Sequence, residues 1–171
     1  MKPLKSVRNY KIKSQKICFL NLLIGLFHTI LIAQEEQIQW LSFEQLEDSL
    51  VVQPKKVFID FYADWCSYCK KMNQVVFKNK KVINYLNREY YAVKMDVETV
   101  DTISYKGISY ANADLGKKRK PVHQIPKLLA SRKNYPFTLP ALVLLNASFE
   151  ITGRYFEYIP PEELYRILQD R

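Results

Sequence analysis

Cysteine is scarce in this chain. There are three, at 18, 66 and 69, and only two histidines, at 28 and 123. So few cysteines argue against a small fold stapled by several bridges. They also leave little for a structural zinc, which takes about four ligands: beyond Cys66 and Cys69, only Cys18, His28 and His123 could serve. No acid occurs among residues 1–33, and no internal repeat or low-complexity stretch occurs anywhere. What is present suits one folded domain: 171 residues, 48% hydrophobic and 13% aromatic, enough for a core and too apolar for general disorder.

The net charge of +9 belongs mostly to the N-terminus. Lys2, Lys5, Arg8, Lys11, Lys13 and Lys16 account for six of the 26 basic residues; without them, 20 basic groups face 17 acids, a balance of +3. No nucleic-acid surface is therefore read from it, and the run Lys117-Lys118-Arg119-Lys120 reads as a solvated loop. The basic segment precedes an apolar one, residues 17–33, as in a secretory signal. Asn21, His28 and Thr29 make a poor spanning helix, which wants about 20 apolar residues. Two readings stay open: a signal cleaved after Ala33, or, because Leu31 is large for its place before the cut, an uncleaved membrane anchor over 17–33. In both, residues 34–171 are exported to the periplasm. Cys18 lacks the preceding small residue of a lipid-attachment site. Beyond the leader, Cys66 and Cys69 are the only cysteines.

Periodicity places the elements. Ser42-Phe43-Glu44-Gln45 is a capping box opening a helix that Gln53-Pro54 ends. Val57 to Tyr62 reads as a buried strand at 56–62, rich in β-branched and aromatic residues. Lys70 to Phe77, apolar at 72, 75 and 76, reads as a helix, and Asn79 caps a second with Val82, Tyr85 and Leu86 on its face. Tyr90 to Asp96 is a second strand. From 97 to 137 the pattern fades, apart from a short helix around Gln124–Arg132; the stretch is read as an insertion with a role in partner choice. His123, within it, reads as a surface residue. Ala141–Leu145 is a near-continuous apolar strand, Glu150–Tyr155 its hairpin partner, and Pro160-Pro161 opens a last helix. The order α-β-α-α-β-insertion-β-β-α implies an α/β fold, a central mixed sheet flanked by helices.

Cys66 and Cys69 fall where a strand gives way to a helix. Three residues apart on a first turn, they lie on one face at a separation that a disulfide can bridge. Cys66 would stand at the helix N-terminus, whose free amides and dipole favour a thiolate, the nucleophilic form. Cys69, one turn in, would be more buried and less ionised. One sulfur attacks and the other resolves. An inert staple and half of a zinc site remain as alternatives, since a lone C-x-x-C is a moderate signal.

The longer stretch Ile59-Asp60-Phe61-Tyr62-Ala63-Asp64-Trp65-Cys66-Ser67-Tyr68-Cys69-Lys70 resembles the thioredoxin family, whose pattern there is apolar-Asp-Phe-aromatic-Ala-x-Trp-Cys-x-x-Cys-Lys. The likeness covers most of 40–171, without 97–137. It implies a thioredoxin-like fold over 34–171. It also implies that Asp60 is a buried acid relaying a proton from Cys69, with Lys94 beside it, and that Trp65 is a platform by the sulfur. Pro140 is implied to be the cis-proline, Leu139 offering its backbone to substrate; Pro136 competes for that place. Ala141 replaces the family's usual threonine, Ser67-Tyr68 replaces its usual pairs between the cysteines, and Glu157 stands near a usual glycine of the groove. Tyr68 brings no positive charge, so strongly oxidising character is not indicated.

The resulting expectation is a monomeric, exported thiol–disulfide oxidoreductase acting through Cys66 and Cys69, more as a reductase than an oxidase. Trp65, Tyr68, Leu139 and Pro140 would meet a protein substrate. A second redox partner, such as a membrane electron carrier, would reset the cysteines, and no metal or organic cofactor is needed. The alternative is a client-binding module with the same groove and no turnover.

Overall fold

Residues 37–171 are described by the computed structural model. The leader over 1–33, with Cys18 and His28, lies outside them. Seven strands and five helices follow in order: β1 Trp40–Leu41, α1 Phe43–Val52, β2 Lys56–Tyr62, α2 Ser67–Lys71, α3 Lys80–Glu89, β3 Tyr90–Asp96, β4 Ile103–Tyr105, β5 Ile108–Tyr110, α4 Gln124–Ala130, β6 Ala141–Leu145, β7 Ile151–Tyr155 and α5 Pro161–Gln169. Five strands form one mixed sheet in the order β1-β3-β2-β6-β7, with β1, β3 and β2 parallel and β6 and β7 antiparallel. This is the expected α/β thioredoxin-like fold.

Alternation along the strands builds two cores. Phe58, Ala92, Leu142 and Leu144 pack under α3, α5 and the turn that follows α2, through Met72, Val82, Leu86, Leu164 and Leu168. Val57, Ile59, Phe61, Val93, Val143 and Leu145 face the other way, against Phe43 and Leu46 of α1 and Ile125 and Ala130 of α4. With both faces covered, Val57 to Phe61 and all of β6 are buried, and each large side chain there contributes about 1.5–3 kcal/mol of transfer free energy. Asp60 shares its face with Phe58, on the side of the cysteine helix.

The caps stand where the sequence put them. Ser42 and Gln45 close a capping box on α1, Asn79 accepts from the amides of Lys81 and Val82, and Pro161 begins α5. The helix after the cysteines differs in detail. α2 passes into a π turn over Met72–Val76, where the amide of Phe77 bonds the carbonyl of Met72 at 2.9 Å. The wider turn rotates the apolar face, so Met72, Val76 and Phe77 are buried and Val75, expected inside, is 45% exposed.

The segment 97–137 is more ordered than its periodicity implied. Ile103-Ser104-Tyr105 and Ile108-Ser109-Tyr110 pair as a hairpin across Lys106-Gly107. Both turn residues have positive φ, 51° and 72°, the conformation of a two-residue turn matched to strand twist, which glycine favours at its second position. The hairpin was missed because strands of three residues are too short to show alternation. The two-residue β1 was missed for the same reason.

His123 corrects a second expectation. It is fully buried, not on the surface. Its backbone amide bonds the carbonyl of Val97 at 2.8 Å, its Nδ1 accepts from Ile125 N–H at 3.2 Å as the cap of α4, and its Nε2 meets the carbonyl of Tyr110 at 3.0 Å. One neutral tautomer satisfies all of this: Nδ1 bare and Nε2 protonated. The histidine thus ties the hairpin and α4 to the end of β3, with both ring nitrogens engaged. Burial lowers its pKa below the ordinary 6.5. A lowered histidine pKa means the unfolded state takes up the proton first, so this tie is at full strength above about pH 6.5 and weakens as pH falls below it. Amide exchange at Ile125 and in 103–110, corrected for intrinsic rates, should accelerate between pH 6.5 and 5 relative to β2. The same amides should be exchange-labile at pH 7 in His123→Ala, which is expected to lose about 2–3 kcal/mol of stability. Uniform protection across that pH range would contradict the tie.

Candidate active site

The two halves of the site meet because β2 and β3 run parallel while β6 runs back. The C-terminal ends of β2 and β3 and the start of β6 lie at one end of the sheet, with Phe61 opposite Ala141. The chain leaves β2 through Ala63 and turns into α2, with Cys66 N–H bonded to the carbonyl of Ala63 at 3.0 Å. Beside that turn, residue 140 enters β6 through a cis Leu139-Pro140 peptide. The cis-proline is therefore Pro140 and not Pro136.

Cys66 and Cys69 form a disulfide, with Cα atoms 5.2 Å apart. Cys66 is the N-cap of α2: its extended backbone (φ −78°, ψ 102°) turns Sγ toward the first helical turn, where it accepts from Cys69 N–H at 3.1 Å. A sulfur thus fills the place that an Asp or Ser oxygen takes at other helix starts. With the bond closed, the expected contrast in burial is slight, Cys66 being 4% exposed and Cys69 2%. The exposed rim is Trp65, at 47%, and Tyr68, at 60%. Leu139 is half-buried and Pro140 buried.

Asp60 is 1% exposed and sits in register with Lys94 on β3. The Lys94 ammonium stays 3.9 Å from Oδ2, and Oδ1 has no hydrogen-bond partner among the described residues. Burial pushes the carboxyl up to about 7, against the opposing pull of Lys94. Burial likewise lowers the pKa of Lys94. Lys94 opposes the effect of burial on Asp60, but desolvation wins. Asn73 on the π turn explains part of the balance. Lys94 Nζ donates to Asn73 Oδ1 and lies among the rings of Tyr62, Trp40 and Phe77, at 5.0, 5.2 and 5.8 Å from their centroids. The lysine is shared, so Asp60 keeps only part of its attraction.

Three residues reach the site without having been singled out for it. Asn73 is one. Glu98 accepts from Trp65 Nε1–H at 2.8 Å, and Lys120 Nζ stands 3.5 Å from the centre of the Trp65 ring. Both of the latter come from the 97–137 segment. Trp65 and Leu139 together line a cavity of about 200 Å³ whose far wall is built by that segment. No local pattern marks these residues, since the contacts depend on how a loop closes over the sheet. Tyr68, by contrast, is exposed, and Glu157 stays on the surface.

The buried carboxyl gives a stability prediction. Its pKa is raised in the fold, so its charge is a cost that is absent below pH 4 and complete above about pH 7. Asp60→Asn should therefore be more stable than the parent at pH 8, by on the order of a few kcal/mol, and nearly equal to it at pH 4. Denaturant unfolding of the oxidised protein at the two pH values checks this. Equal stabilities at pH 8 would contradict the raised pKa.

Comparison with known proteins agrees with this geometry. The domain profile described as "Thioredoxin-like domain" matches residues 45–171. "Thioredoxin-like protein slr0233" of Synechocystis is 31% identical over 86 residues, covering 49% of this chain and 79% of that protein. "Thiol:disulfide interchange protein DsbD" of Campylobacter jejuni is 32% identical over 56 residues, 33% of this chain and only 10% of that protein; this chain thus spans about a tenth of that relative's length. In three dimensions a thioredoxin from Thermus thermophilus aligns over 78% of this chain and 86% of its own, with a TM-score of 0.53 at 21% identity, a likeness of fold. The chain belongs to the thioredoxin-like domain family, and its C-x-x-C pair, Cys66 and Cys69, is closed as a disulfide.

Proposed function

We propose that this protein is an exported reductase of protein disulfides. The observation that carries the reading is the Cys66 sulfur capping α2, with an acid buried in the adjoining strand. Export is supported by the basic and apolar leader, and disulfide exchange by the similarity to part of a thiol:disulfide interchange protein.

The steps follow from the positions. In the reduced protein, the free amides at the start of α2 stabilise the Cys66 thiolate. It attacks one sulfur of a client disulfide; that S–S bond breaks, the departing client sulfur takes a proton, and a mixed disulfide joins the client to Cys66. Cys69 then attacks Cys66 Sγ, closing the bond seen here and releasing the second client thiol. Two electrons pass from the protein to the client. Asp60, titrating near neutrality, is suited to take the Cys69 proton as that sulfur attacks. A second protein thiol pair, such as that of a membrane electron carrier, then reopens Cys66–Cys69. During attack, the exposed faces of Trp65 and Tyr68 hold the client, and the half-buried Leu139 offers its backbone edge-on. The reducing direction is favoured by what stands between the cysteines. Ser67 and Tyr68 add no cation, so the reduced form lacks the extra thiolate stabilisation of a strong oxidant.

Reduction of insulin disulfides by the reduced protein should follow Cys66, falling at least a hundredfold in Cys66→Ser. Asp60→Asn should slow release of the mixed disulfide about tenfold or more and remove a rate inflection near pH 7. If Cys66→Ser and the parent reduce insulin equally slowly, the groove binds clients without turnover. An equilibrium potential in the range of strong oxidants would reverse the direction.

A further inference from the structure

The cavity beside Trp65 is not an extension of the apolar sheet end alone. Its inner wall is Val97, Val122, Phe137 and Leu139, and its mouth carries charge from Glu98, Asp114, Lys118, Lys120 and Lys127. Part of that charge is already matched. Asp114 is held by Lys127 at 2.8 Å and Lys118 at 3.1 Å, contacts that bring its pKa down to about 2, while Glu98 accepts from the neutral Trp65 indole and keeps its charge. Lys120 remains, over the Trp65 ring, and Lys117 and Arg119 adjoin it. All three are exposed, and none pairs with a carboxylate among the described residues. The Asp114 bridges fix the base of this ridge and leave its crest unmatched.

We propose that the 97–137 segment forms a specificity subsite that takes an acidic side chain flanking the client's cystine, with its stem in the cavity between Trp65 and Leu139 and its carboxylate against Lys120, Arg119 and Lys117. The inference rests on the reading of this face as the client groove. Two features favour a polypeptide over an anionic membrane surface. Lys120 is set at the mouth of a concavity whose inner wall is apolar, and it lies over Trp65, the residue next to the reactive cysteine. A flat sheet of headgroups would meet the crest of the ridge but leave the cavity unfilled. Lys120 has an attraction to exchange: bound to a carboxylate, it can leave the ring face free for the client backbone.

Binding and turnover separate the two layers of the claim. Fluorescence anisotropy of the full chain with a labelled cysteine-free peptide flanked by Glu, against its Gln counterpart, reads the subsite without any chemistry. The Glu peptide should bind about tenfold tighter at low salt, with the ratio falling toward one as salt screens the charges. In Lys117→Gln/Arg119→Gln/Lys120→Gln the ratio should be near one at all salt concentrations, and because it is a ratio, a general loss of binding cancels. The single Lys120→Arg variant should keep it. Equal binding of the two peptides by the parent, or a preference that survives the triple change, overturns the subsite. So does triple-variant-sensitive binding to phosphatidylserine vesicles without any peptide preference, which would assign the ridge to a membrane. Reduction of the matching cystine peptides is measured apart: a binding preference with no turnover leaves the subsite standing and removes the reductase.

Discussion

A helix start leaves amide donors with nothing to bond, and here a sulfur accepts one of them. That single capping contact fixes where the reactive atom sits, and the surrounding structure is arranged to supply it. A strand buried on both faces brings the chain rigidly to the end of the sheet. One tight turn reverses it into α2, and the antiparallel return of β6 delivers the cis-proline loop to the same end. None of these elements carries the chemistry alone. Together they place an atom that benefits from being charged beside the backbone that a client would pair with.

A buried carboxyl one strand below the cysteines works against stability. Its burial raises the energy of its charged form, and the nearest cation is divided between Asp60, Asn73 and three aromatic rings. The same compromise puts the group near neutrality, where it can both take and return a proton. The fold thus carries a destabilised side chain at the place where proton transfer would be needed, as is common where function and packing compete.

Most of this framework was legible in the sequence, for reasons that are local. Ser42, Asn79 and Pro161 mark helix starts by their own side-chain chemistry. Val57 to Phe61 and Ala141 to Leu145 announce two-faced burial by their continuous apolar character. The stretch from Ile59 to Lys70 carries the site itself. What could not be read depends on wider geometry. The π turn moves Val75 out and brings Asn73 to Lys94, yet the sequence there fits a plain helix equally well. His123 looks like a loop residue because its three partners lie at Val97, Tyr110 and Ile125, two of them distant in sequence. The 97–137 segment looks weakly patterned because its apolar residues, among them Val97, Tyr105, Ile125 and Ala130, reach the core from short elements tied together by that histidine.

The central claim is electrostatic: the cap makes one sulfur a better anion than its neighbour. Alkylation of the reduced protein by iodoacetamide across pH 4 to 10, with each cysteine resolved by peptide mapping, tests it directly. The account predicts that Cys66 reacts with an apparent pKa well below the usual cysteine value of about 8.5, while Cys69 stays slow at neutral pH. Two cysteines that react alike, both with the pH dependence of a free thiol, would contradict it.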